Sequence, residues 1–137
     1  MSMQSKGPYA RAAALLQLAQ DVPHEVATWS ATPVRHEPAD AGAAVRQIPN
    51  VAHGAARVAA QVAETGRADA QALIEVSTGI ERARSALEPL VTAATLPRSV
   101  PHRHTNWASI IGIPALDYLE QLAAAVRELS VAAASAT

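Results

Sequence analysis

The chain has 137 residues, a mass of 14.2 kDa and a formal net charge of −1, which suits one domain with one core and leaves no room for two ordinary ones. A sequence pI near 6.5 supplies no global field to draw in nucleic acid or anionic lipid. The absence of cysteine excludes a disulfide framework, a thiolate zinc site and a cysteine nucleophile, without fixing the compartment.

Half of the residues are hydrophobic, yet roughly a quarter of the chain is Ala, only 3% is aromatic and Phe is absent. Such a composition has strong helix propensity but few large core fillers, so its helices can approach closely. Charged residues make up 17% of the chain, below the usual share of about a quarter. A weakly charged surface with Ala-rich helix faces offers little resistance to pairing between chains, and a homodimer is an expectation on that ground.

Met1 to Gly7 is polar and expected to fray. Pro8 suits the first turn of helix one, where Tyr9, Ala12, Leu15, Ala19, Val22, Val26 and Trp29 recur at three- and four-residue steps, with Pro23 inside the pattern as a kink. The run Ala12 to Leu18 imitates a signal peptide after Lys6 and Arg11. It is Ala-rich, however, its heptad continues past Gln17 and Gln20, and no convincing cleavage site follows. No stretch approaches the ~18 uninterrupted apolar residues needed to span a bilayer, and the cytoplasm is the expected location.

Ser30 to Ala39 has no periodicity and reads as a linker, after which Asp40 can cap helix two. There Ala44, Ile48, Val51, Ala55, Val58 and Val62 keep the stripe across Pro49, and Thr65-Gly66 provides the stop. Asp69 can cap helix three, so helices two and three should form an antiparallel hairpin. Helix three, between Arg67 and Leu96, carries Leu73, Val76, Ile80, Ala83, Leu87, Leu90 and Ala94 on one stripe and has its own internal Pro89. Pro97 ends it, because the residue before a proline is pushed out of the helical region.

A second linker spans Pro97 to Thr105, and Thr105 or Asn106 can cap a last helix that contains Trp107, Ile110 and Ile111 and kinks near Gly112-Ile113-Pro114. Beyond the kink, Tyr118, Leu122, Ala125 and Leu129 form one stripe, and Leu116, Leu119, Ala123 and Val126 a neighbouring one. An apolar arc that wide belongs to a helix central to the fold or covered by a second chain. The tail from Val131 to Thr137 is expected to fray. The fold expected from these elements is all-α: a single domain over residues 1–137, built as an antiparallel four-helix up-down-up-down bundle with proline-kinked helices.

If the helices alternate in direction, both linkers meet at one end of the bundle and collect Trp29, Arg35, His36, Glu37, Arg98, His102, Arg103, His104 and Trp107 there. His102 and His104, with His36 or Glu37, offer imidazole and carboxylate donors to a divalent ion, but histidines two apart in a proline-bearing loop are more often solvated surface residues. His104 with Arg98 or Arg103 has the residue types for acid–base chemistry on a phosphate, and Arg103 between two histidines makes a small basic patch. No basic stripe accompanies that patch, and nothing frames a nucleophile or a phosphate loop. His24 and His53 lie off the stripes and read as surface residues, whereas Tyr118 reads as a packed residue with a bonded hydroxyl. The two tryptophans read as core residues closing the linker end, and either becomes a binding anchor only if exposed.

The sequence thus points to a non-enzymatic interaction protein, an adaptor, regulator or assembly component that self-associates or docks on a partner protein, with no cofactor, no membrane and no catalytic residue assigned. The alternatives are a small-ligand, metal or phosphate site on linkers 30–39 and 97–105, and a nucleic-acid-associated regulator.

Overall fold

The computed structural model describes residues 8–31, 41–95, 107 and 111–135. Among these residues the backbone forms four helices and no strand: α1 (Pro8–Ala31), α2 (Ala41–Thr65), α3 (Ala70–Thr95) and α4 (Ile113–Ser135). Helix α1 packs on α2, α2 on α3, α3 on α4 and α4 on α1, with a further contact between α2 and α4. Each helix thereby covers its apolar face with two or more others, as a short chain with one core requires.

The periodic stripes account for most of the core. Ala12, Leu15 and Ala19 of α1, Ala44, Ile48, Ala55, Val58 and Val62 of α2, and Val76, Ile80, Ala83 and Leu87 of α3 are buried. So are Tyr118, Leu119, Leu122, Val126 and Leu129, which come from both stripes of α4. The wide apolar arc of the last helix is therefore covered largely within one chain. Each fully buried leucine contributes about 1.5–3 kcal/mol relative to remaining in water.

Several positions depart from the stripes, among them the half-buried Val51 and Leu73 and the buried off-stripe Ala52 and Ala59. Tyr9 is 58% exposed, because the first turn of α1 reaches beyond the core and the Tyr9 ring lies against Gly66 instead. Val91 is buried while Leu90 is half-buried; after Leu87 a three- or a four-residue step continues a helical stripe equally well, and contact with Gly112 selects the four-residue one. Helix α4 also continues to Ser135, into the stretch expected to fray, consistent with the high helix propensity of Ala132 to Ala134.

The turn between α2 and α3 is set by local hydrogen bonds. Gly66 has φ 76°, and its N–H donates to the Val62 carbonyl at 2.7 Å, the left-handed stop that glycine adopts without a Cβ penalty. The Thr65 hydroxyl donates to the Gln61 carbonyl at 2.9 Å and accepts from the Arg67 N–H at 3.1 Å. Asp69 then caps α3: its carboxylate accepts from the Gln71 N–H at 3.2 Å, and its carbonyl accepts from the Leu73 N–H at 3.0 Å.

Helix α1 meets α4 through polar groups at two levels. Arg11 pairs with Glu128, and the Tyr118 hydroxyl donates to the Leu18 carbonyl at 2.7 Å. Helices α2 and α3 run without interruption through Pro49 and Pro89, although each proline removes the N–H that would bond the carbonyl four residues earlier, at Val45 and Ser85. At the entrance to α4, Ile111 and Gly112 have π-helical backbone just ahead of Pro114. Gly112 is needed there for space: a Cβ on it would stand 2.7 Å from Val91 Cγ2 and 2.9 Å from Trp107 Cζ3.

Candidate functional site

Most of the residues that sequence reasoning assigned to a site on the two linkers, Arg35, His36, Glu37, Arg98, His102, Arg103 and His104, lie outside the described residues. Trp29 belongs to the last turns of α1. Trp107 is 1% exposed, and its ring packs over Gly112. Of the two readings for that tryptophan, its burial supports core closure over a surface anchor. Among the described residues, no group of three His, Asp or Glu side chains is placed to hold a metal ion.

A surface groove lies elsewhere, between α2 and α3. It is an open groove of about 540 Å³. Helix α2 supplies Asn50, Val51, Gly54, Arg57, Val58 and Gln61; the other wall is Asp69 with Ala72, Glu75, Val76 and Gly79 of α3. The buried Val58 and Val76 form the floor, Val51, Gly54, Ala72 and Gly79 are half-buried, and the polar side chains stand exposed at the rim.

Two glycines give the groove its depth. A Cβ on Gly54 would come to 3.6 Å from Val76 Cγ2, and one on Gly79 to 3.7 Å from Val51 Cγ2, both ordinary contact distances. The chain's own packing thus has room for alanine at either position. Glycine in a helix interior costs about 1 kcal/mol relative to alanine, so both helices bear a cost that intramolecular sterics do not require.

The rim is divided by sign, with cationic Arg57 on the α2 side and anionic Asp69 and Glu75 on the α3 side. Among the described residues the ion pairs are Arg11–Glu128 and Arg84–Glu81, the latter at 3.1 Å, and none of the three rim charges takes part in them. The Asp69 carboxylate caps α3, whereas Arg57 and Glu75 project as exposed side chains. Chemically the groove offers a short apolar floor, close backbone approach at two glycines, and one charge of each sign on facing edges.

Sequence reasoning passed over this groove. The available signal was the pair Gly54 and Gly79 within stretches of strong helix formers. Compared with protein-family models, curated proteins and solved structures, the chain matches none.

Proposed function

We propose that this chain is a non-enzymatic helical interaction module, acting by self-association or by docking on a partner protein, with the α2–α3 groove as its contact face. The observation that supports this reading is the groove itself: half-buried Val51 and Ala72 with Gly54 and Gly79, flanked by rim charges with no ion-pair partner among the described residues. The apolar arc of α4, the first candidate for such a face, is largely occupied within the chain by the other helices.

The same proposal takes the four helices to alternate up and down. In its support, Tyr9 of α1 touches Gly66 just after α2, and Gly54 and Gly79 lie near Val76 and Val51 in reversed order along α2 and α3. The Arg11–Glu128 and Tyr118–Leu18 contacts likewise run in opposite order along α1 and α4. The helix axes are proposed to bend where Pro49 and Pro89 leave a carbonyl without its helical donor.

Light scattering on the purified chain over a wide concentration range tests the self-association arm. A mass above one 14.2 kDa chain that rises with concentration is the expected result. A one-chain mass at every concentration removes that arm and leaves the foreign partner, for which cross-linking to Asn50 or Gln61 at the rim is the corresponding test.

A further inference from the structure

Resting on the contact face proposed above, we infer that the occupant of the α2–α3 groove is the α2–α3 hairpin of a second copy of this chain, docked about a two-fold axis running along the groove. The argument is one of self-complementarity. The Gly54–Val76 and Val51–Gly79 approaches fix the register of the two helices, and in that register Arg57 on α2 and Glu75 on α3 stand within about one helical turn of the same height on opposite edges. Rotation about an axis along the groove lays α2 of one copy over α3 of the other at matching height. Arg57 of each copy then faces Glu75 of the other, and the pairing occurs twice, as an isologous interface demands. A rotation about an axis across the groove would set α2 over α2 and bring like charges together. The charge pattern therefore selects one of the two orientations.

The glycines fit the same occupant. Neither Gly54 nor Gly79 is required by the chain's own packing, and their missing side chains let a second pair of helices approach over Val51, Val58 and Val76. A foreign partner would need its own match to an edge-divided rim; a second copy carries that match already.

The test is charge reversal on the full chain, read by sedimentation velocity and thermal melting. Arg57→Glu and Glu75→Arg each place like charges across both symmetric contacts and should each raise the dimer dissociation constant by on the order of tenfold or more. The double variant Arg57→Glu/Glu75→Arg should restore dimerisation. Both residues are exposed and take part in no ion pair among the described residues, so the single variants should melt cooperatively, and each melt establishes that a lost dimer is not a lost fold. Dimers that persist unchanged in both single variants overturn this surface while leaving self-association standing. Single variants that dissociate without rescue in the double variant overturn the Arg57–Glu75 pairing, and a wild-type chain that stays monomeric overturns the inference together with the self-association arm.

Discussion

Four glycines of this chain divide into two pairs that do opposite things. Gly66 and Gly112 stand at helix ends where a side chain has nowhere to go: Gly66 has a positive φ with the Tyr9 ring against it, and Gly112 faces Val91 and Trp107 at distances no Cβ tolerates. Gly54 and Gly79 stand in helix interiors where a methyl group would meet one valine methyl at ordinary contact distance. The first pair is demanded by the fold. The second is permitted by it and deepens a groove, so an identical residue type marks an architectural need in one place and available surface in the other.

The contrast can be tested by filling each position. The largest effect is expected from Trp107→Ala, which empties the biggest fully buried side chain among the described residues and should cost about 3–5 kcal/mol in chemical denaturation. Gly112→Ala should cost about 1–3 kcal/mol by overpacking against Val91 and Trp107. In a Trp107→Ala background part of that second penalty should vanish, the Val91 contact remaining, and a double-mutant cycle with no coupling would break the account of this corner. Gly66→Ala should cost about 1–2 kcal/mol, chiefly from the left-handed backbone, because the exposed Tyr9 ring can swing aside. Its penalty should accordingly persist in a Tyr9→Ala background. At the small end, Gly54→Ala and Gly79→Ala should each stabilise the isolated chain by about 0.5–1 kcal/mol, read as a higher denaturant midpoint. A loss of stability at either would show that the groove glycines belong with the first pair.

Much of the architecture was legible because it rests on local rules. The Asp69 cap, the Gly66 stop and the three- and four-residue spacing of Ala12, Leu15, Ile48, Ile80 and Leu122 each follow from one helix considered alone. The choice of Val91 over Leu90 was not legible, since it depends on where Gly112 arrives from another part of the chain. The exposure of Tyr9 was hidden for the same reason: periodicity says which side of a helix faces inward but not how far along its axis the core extends. Sequence reasoning placed a site at Trp29, Arg35, His36, Glu37, Arg98, His102, Arg103, His104 and Trp107, drawn by the chemistry of histidine and arginine. The groove escaped it because its defining residues are glycine, alanine and valine, whose contribution is shape. Shape between two helices emerges only once Val51 and Val76 are set beside their neighbours.

The Tyr118 hydroxyl reaches the Leu18 carbonyl across 100 residues of chain, and Arg11 meets Glu128 across 117. Helix α1 thus obtains two of its polar ties from a helix that a ribosome delivers roughly a hundred residues later. During synthesis the contacts of α1 with α4 wait for α4, and the ring of helices closes only as that helix emerges. A nascent chain stalled before Tyr118 would hold α1 against α2 with one flank still wet, a state that hydrogen exchange on ribosome-bound fragments would register as weak protection around Leu18.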